Sequence, residues 1–370
     1  MEKLRIGIAG AKRGRSLYKE FQKLQDAEVV AVMDPDRNSL DRFLEEFSVK
    51  SAFDDYEKLL DFGLDIVVIA SPMQFHAQQA IEALNRNIHV LSEVTAAITV
   101  NECKELLLAA QESKAQYMLA ENYCYMRENI AIKNMVKAGL FGKIYYGEGE
   151  YIHRLQPAYF EKEGVPTWRK TYLASKRGCT YGTHSLGPLI EWTGEAVTSV
   201  NCLGTGAHQE GRRYTNDDTT LMLCKTSGGA LFKIRTDIVS NRPHNMAYYS
   251  LQGTKGCYEG PKTSADVHKV WLEDYSKGPE DWLDLSEFFN DFLPPELVDV
   301  PEEARSSHHQ GADYYMVKDF VKSIREGKPV SIDIKKALLF TLPGIISEKS
   351  IELGGDHAEV PDINNWLVQK

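Results

Sequence analysis

Leu4-Arg5-Ile6-Gly7-Ile8-Ala9-Gly10-Ala11-Lys12-Arg13-Gly14 decides the fold. Leu4 to Ala9 is a short apolar run closed by glycine, as expected of a strand buried on both faces of a parallel sheet. Helical spacing follows at Leu17, Phe21 and Leu24. The same rhythm repeats downstream. Val29 to Met33 stops at Asp34-Pro35-Asp36, a turn signal, and Leu40, Phe43, Leu44 and Phe47 recur at helical spacing. Ile66 to Ala70 closes on Ser71-Pro72, a helix pattern follows at Ala77, Ala80, Ile81 and Leu84, and Ile88 to Leu91 is the next strand. Asn101 is placed to cap a helix carrying Cys103, Leu106, Leu107 and Ala110, and Tyr117 to Ala120 reads as one more strand. This alternation predicts an α/β fold that begins with a doubly wound parallel sheet.

The chain has 370 residues. Single cores stop growing at about 250–300 residues, so two domains are expected. Hydrophobic residues at 43 % and charged residues at 26 % exclude a disordered or collagen-like chain. Lys and Arg number 43 against 53 Asp and Glu, a net charge of −10, and no basic block stands out. That balance argues against nucleic-acid binding, which needs clustered cations. The N-terminus runs straight into a strand with no secretory leader, and no apolar stretch approaches the roughly 20 residues of a membrane span. The six cysteines (Cys103, Cys124, Cys179, Cys202, Cys224, Cys257) are scattered without a CxxC pair. Reduced thiols in a cytoplasmic protein are expected.

Ligands of doubly wound sheets sit at the carboxyl ends of the strands. A dinucleotide fingerprint reads G-x-G-x-x-G; here Gly10 fits the first position, Lys12 occupies the second, and Gly14 is displaced by one from the third. An ordinary strand-to-helix turn would carry the same glycines. Asp34 strengthens the cofactor reading. It ends the second strand, where a carboxylate bonds the ribose hydroxyls and repels a 2′-phosphate, favouring NAD over NADP. Lys12 and Arg13 soften that preference, and Asp34 also suits a plain turn before proline.

With Ser71-Pro72-Met73-Gln74-Phe75-His76 and His89-Val90-Leu91-Ser92-Glu93 added, the chain resembles the Gfo/Idh/MocA oxidoreductases over nearly its whole length. The resemblance implies a Rossmann domain over 1–125 and a substrate-binding and oligomerisation domain over 126–370. The second domain would be built on an open, mostly antiparallel sheet, with its last helices packing back on the first. It implies cofactor contacts from Gly10, Lys12, Arg13, Gly14, Asp34, Ser71, Pro72, His76, Glu93 and Asn122. The family's usual Glu-Lys-Pro reads Glu93-Val94-Thr95 here, and its Asp-to-His spacing reads Thr180 to His184. Those departures are similar to one branch of the superfamily, the NAD-dependent glycosidases of the α-N-acetylgalactosaminidase type. The stretches that carry this are Glu93-Val94 with Ala96-Ala97, Glu121-Asn122-Tyr123-Cys124-Tyr125-Met126-Arg127, and Tyr181-Gly182-Thr183-His184-Ser185-Leu186-Gly187-Pro188.

Hydride transfer from a sugar carbon requires a base for the hydroxyl proton, and histidine suits that role near neutrality. His184 is the first candidate, on a tight loop opening a helix between Gly182 and Pro188. Tyr125 and Tyr181 are candidates to extend a proton relay or to bond a sugar hydroxyl. Trp168 and Arg169 suit a sugar ring and an anionic substituent, and Thr180, a further substrate-binding candidate, stands where the resemblance places an aspartate facing the nicotinamide. Val270 to Arg305, acidic and interrupted by prolines, reads as a solvated excursion. His308-His309 reads as structural, because adjacent residues cannot share a site and no carboxylate pattern joins them; no metal is expected.

The resemblance implies an NAD-dependent oxidoreductase acting on a sugar, cyclitol or glycoside. The alternative is a redox-assisted glycosidase, in which C3 is oxidised, the aglycone is eliminated, water adds and the hydride returns. A non-catalytic sugar or dinucleotide sensor is the third possibility, and a homodimer or homotetramer is expected by resemblance.

Overall fold

In a computed structural model the described residues are 2–153, 161–162, 165–172, 176–208, 216–243 and 245–367. Contacts divide the chain into two compact units. One comprises Met1–Tyr125, Pro301–Leu338 and Ile363–Lys370, and the other Met126–Val300 and Leu339–Asp362. The later part of the chain is thus shared, with 301–338 and 363–370 clustering with the N-terminal residues.

The first unit alternates β1 (Leu4–Ala9), α1 (Ala11–Phe21), β2 (Ala27–Met33), α2 (Arg37–Glu46), β3 (Ser51–Phe53), α3 (Tyr56–Leu60), β4 (Ile66–Ile69), α4 (His76–Asn85), β5 (His89–Ser92), α5 (Val100–Glu112) and β6 (Tyr117–Leu119). The strands form one six-stranded sheet in the order β3-β2-β1-β4-β5-β6, and all its pairs are parallel. Helices on both faces explain why Ile6, Ile8 and all of Ile66 to Ile69 are fully buried. The cap of α5 differs from the expectation at Asn101. Thr99 takes the position, accepting from the Glu102 amide while Glu102 reaches back, a capping box two residues earlier.

The second unit begins with α6 (Arg127–Lys137) and β7 (Ile144–Ile152), the two-residue strands β8 (Glu161–Lys162) and β9 (Val165–Pro166), α7 (Trp168–Thr171) and α8 (Thr183–Thr193). Then come β10 (Val197–Gly204), β11 (Thr219–Thr226), β12 (Leu231–Asp237), β13 (Asn245–Gly253), β14 (Gly256–Glu259), β15 (Lys269–Leu272), β16 (Leu283–Asp284) and β17 (Ala358–Glu359). Nine strands make one sheet, β16-β15-β14-β13-β7-β12-β11-β10-β17, antiparallel except where β7 meets β12. On one face α8 approaches closely. A Cβ on Gly149 would stand 2.7 Å from the Ser185 carbonyl oxygen, so β7 carries glycine where the helix crosses. The other face leaves Leu203, Leu221, Leu223 and Leu231 exposed on β10, β11 and β12.

Candidate functional site

In the first unit the residues expected to meet a cofactor collect at the carboxyl ends of the strands. Gly10 has φ 97°, and a Cβ there would lie 2.4 Å from the Ala70 carbonyl oxygen; only glycine makes this turn. Gly14, though displaced from the fingerprint, does the work of its last glycine. A Cβ would meet Ile8 Cγ2 at 2.4 Å, so its absence lets α1 lie against β1. Lys12 and Arg13 consequently ride on the first turn of α1.

Asp34 caps that turn from β2. Its Oδ2 accepts from the Ala11 amide at 2.8 Å and its Oδ1 from the Asp36 amide at 2.9 Å. Burial raises its carboxyl above the usual range in spite of both amides. Beside it lies a cavity of about 320 Å³ lined by Asp34, Pro35, Arg37, Leu40, Ala52 and Asp54. A carboxylate at the end of β2 beside a hollow at β3 fits the adenosine end of a dinucleotide.

The expected contacts beyond β4 divide. Ser71 Oγ donates to Gln79 Oε1 at 2.5 Å, and Pro72 precedes a single 3₁₀ turn. His76 is buried, its Nε2 2.8 Å from the Ser71 carbonyl and its Nδ1 2.8 Å from the Thr95 carbonyl. Burial lowers its pKa. Both ring nitrogens face backbone carbonyls, and the neutral ring donates its one N–H to either, tying His76 to the two loops. Val94 is buried, and the peptide joining it to Thr95 is cis. Glu93 takes a 2.7 Å bond from Arg13 Nε, and Asn122 donates at 2.6 Å to Asp313. Asn122 is 3 % exposed and its Oδ1 has no partner among the described residues, a buried acceptor that fits an amide donor from a ligand.

Tyr125 does not fit the proton-relay expectation. Its hydroxyl donates to Asp319 at 2.7 Å, and burial together with that carboxylate pushes its pKa far up. His309 corrects the expectation that no carboxylate joins the histidine pair, for Asp313 lies 3.2 Å from its Nδ1. Among the described residues no group of three or more His, Cys, Asp and Glu is arranged to hold a metal ion.

The second unit builds a compact ring cluster around His184. Gly182 precedes α8, which places His184 in its first turn. Pro188 lies inside the helix rather than flanking it, so the His184 carbonyl has no N–H four residues on. Tyr249 supplies the missing donor, its hydroxyl 2.5 Å from that carbonyl. The His184 ring lies 5.4 Å from Tyr151 and 5.3 Å from Tyr181, and Tyr151 also meets Tyr181 at 5.5 Å and His153 at 5.8 Å. Tyr151 and His153 are residues that sequence reasoning missed. Their spacing of two, Tyr151 on β7 and His153 just past its end, in line with Gly149, was the available signal.

The loop before α8 is pinned at both ends. Arg177 grips Asp217 through two bonds of 3.0 and 2.8 Å. Gly178, at φ 82°, leaves no room for a Cβ against Ser347, whose Oγ accepts from the Cys179 amide at 2.8 Å. Thr180 is half-buried in the turn that follows. The Arg169 guanidinium stacks 4.5 Å from the Trp168 ring, so these two residues form one amphipathic unit on α7. Most of the polar stretch leading to them, 154–160 and 163–164, lies outside the described residues.

Comparison with known proteins agrees with both halves. Residues 4–121 match the family described as oxidoreductase family, NAD-binding Rossmann fold, and residues 125–367 match the glycosyl hydrolase 109 C-terminal domain. An α-N-acetylgalactosaminidase of Shewanella oneidensis is 28 % identical, the alignment covering 98 % of this chain and 85 % of that protein. A glycosyl hydrolase family 109 protein of Shewanella pealeana is 27 % identical over 100 % of this chain and 88 % of that protein. An oxidoreductase domain protein from Kribbella flavida shares the fold with a TM-score of 0.81, at 17 % identity, covering 98 % of this chain and 100 % of that one. A levoglucosan dehydrogenase solved with NADH does so with a TM-score of 0.80, at 17 % identity and the same coverage. The chain belongs to the glycosyl hydrolase 109 family, with the NAD-binding Rossmann domain of the Gfo/Idh/MocA oxidoreductases at its N-terminus.

Proposed function

We propose that this NAD-dependent enzyme is a glycosidase that works by transient oxidation, acting on an N-acetylhexosaminide or a related glycoside. The observation that carries the reading is the His184–Tyr151–Tyr181 ring cluster, in the unit that matches the glycosyl hydrolase 109 C-terminal domain. Bound NAD supplies a hydride acceptor, and the same hydride returns at the end of the cycle. His184 takes the proton of the hydroxyl being oxidised, its ring wedged between two tyrosines and its backbone fixed by Tyr249. Tyr151, with Tyr181 and His153 beside it, stands against the base and bonds the sugar hydroxyls. The Trp168–Arg169 pair offers an aromatic face and a charged fork to the rest of the substrate. Val94 in the family's lysine position is buried and apolar, so no cation from that loop stabilises an alkoxide. This leaves the proton transfer to the histidine.

The cofactor would lie along the carboxyl ends of the first sheet, its adenosine ribose on Asp34, with Asp34 and Asp54 repelling a 2′-phosphate. The exposed leucines of β10, β11 and β12 suit burial against a second copy, and six free cysteines suit a cytoplasmic setting. Among the described residues no helix is long and apolar enough to cross a membrane.

A panel of nitrophenyl glycosides in deuterated buffer tests the activity. The expected result is aglycone release without net NADH, with deuterium incorporated at sugar C2. Stoichiometric NADH from free sugars, with no aglycone released from any glycoside, would make the enzyme a dehydrogenase instead.

A further inference from the structure

A segment remote from every nucleotide-binding motif turns in at the carboxyl edge of the first sheet. His309, Gln310 and Gly311 take consecutive left-handed conformations, with φ of 52°, 57° and 94°. Non-glycine residues take this conformation uncommonly, and such residues cluster at functional sites. The turn opens the helix Ala312–Glu326 and sets Asp313, 0 % exposed, beside Asn122 just after β6. Asp313 accepts from Asn122 Nδ2 at 2.6 Å and lies 3.2 Å from His309 Nδ1 and 3.8 Å from an Arg13 terminal nitrogen, while Arg13 Nε holds Glu93. Asn122 Nδ2 is also 3.0 Å from His309 Nδ1, so that nitrogen is committed to the cluster. Burial alone would raise the Asp313 carboxyl; His309, Arg13 and Asn122 outweigh it and hold it below the usual range.

Two features mark this cluster as more than a structural knot. Two carboxylates, Glu93 and Asp313, share the single Arg13 guanidinium, so these three side chains together carry one net negative charge. Asn122 Oδ1, buried and without a partner among the described residues, is an acceptor in need of an N–H. Position supplies the ligand. In the order β3-β2-β1-β4-β5-β6 the Asp34 cavity occupies the adenosine half, and Glu93 and Asn122, after β5 and β6, occupy the opposite half. The other end of NAD carries a primary carboxamide, which has N–H groups to donate. When oxidised it also carries a cationic pyridinium ring.

We infer that Asp313, His309 and Asn122 form the nicotinamide-end subsite, and that the buried Asp313 carboxylate holds the cofactor preferentially as NAD⁺ rather than NADH. The inference deepens the proposed reading and rests on it. It extends the cofactor site to residues well beyond the 4–121 stretch that matches the NAD-binding family. An enzyme that must begin and end each cycle oxidised gains from such a bias, because a neutral dihydropyridine has no charge for the cluster to stabilise.

The test is calorimetric titration of the cofactor-stripped full chain with NAD⁺ and with NADH, separately. Asp313→Asn should weaken NAD⁺ binding about ten-fold while leaving NADH within about two-fold. His309→Lys, on a half-buried side chain, places a permanent positive charge beside Asp313 without opening a buried hole. It should shift the ratio in the same direction, and it serves if Asp313→Asn fails to fold. Equal weakening of both forms, or an unchanged ratio in both variants, overturns the inference while leaving the NAD reading intact. Failure of the unmodified chain to bind either form overturns both.

Discussion

The hydroxyl of Tyr249, on β13, donates a 2.5 Å hydrogen bond to the backbone carbonyl of His184 in the first turn of α8. That carbonyl lacks its helical donor because Pro188, four residues on, has no N–H. A proline inside the helix and a buried tyrosine together fix the backbone from which the proposed base projects.

Tyr249→Phe should therefore destabilise the chain by about 1–3 kcal/mol, the cost of leaving a buried carbonyl unsatisfied. Pro188→Ala restores an N–H in reach of the same carbonyl, so the double variant should recover part of that loss. Denaturant unfolding of the four proteins gives the coupling directly. Strict additivity would show that the Tyr249 bond does not compensate for the proline.

His184→Ala should lower kcat by about 10² to 10⁴ on the glycoside that the panel identifies, the range for loss of a positioned base. Its melting temperature and NAD⁺ affinity, measured alongside, should change little. A kcat within a few-fold of the unmodified enzyme would remove His184 from the chemistry and leave Tyr151 as the next residue to replace.

Much of the first unit was legible in the sequence, because parallel strands buried on both faces write their burial as unbroken runs such as Ile66 to Ala70. The short β3 and α3, with five or fewer residues each, carry too little period to be read. Gly10 was legible as the first glycine of the fingerprint; the packing role of Gly14 was not, since it depends on where Ile8 points. In the second unit the alternation of β10, β11 and β12 is present, yet which strands pair is a matter of long-range register. The joining of His309 and Asp313 to Asn122 was not legible for the same reason. Their four-residue spacing means nothing until a left-handed turn brings them to Asn122, almost 190 positions earlier.

Gly10→Ala should abolish measurable NAD⁺ binding at micromolar concentrations. The left-handed backbone alone costs an L-residue about 1–2 kcal/mol, and the new Cβ would stand 2.4 Å from the Ala70 carbonyl oxygen. The turn must then shift, carrying with it the Ala11 amide that Asp34 holds. Fluorescence titration of bound cofactor checks this, and retention of affinity would show that the turn is not part of the cofactor site.

Acid should loosen the loop that leads to His184. Burial would raise the Asp217 carboxyl, but the Arg177 guanidinium and the Gly206 amide outweigh it, so its folded pKa lies below the usual carboxylate value. The folded state therefore binds its proton less readily than the unfolded chain. This stabilisation is fully present above the unfolded value of about 3.9 and is lost as pH falls through the lower, folded one. Asp313 is lowered as well and adds to the same slope. Asp217→Asn should cost about 1–3 kcal/mol at neutral pH, discounted because the Arg177 side chain is 43 % exposed. It should also flatten the dependence of stability on pH below about pH 4. Urea midpoints collected from pH 7 down to pH 3 measure both effects. An unchanged slope in Asp217→Asn would mean that Arg177 and Asp217 are paired only weakly in solution.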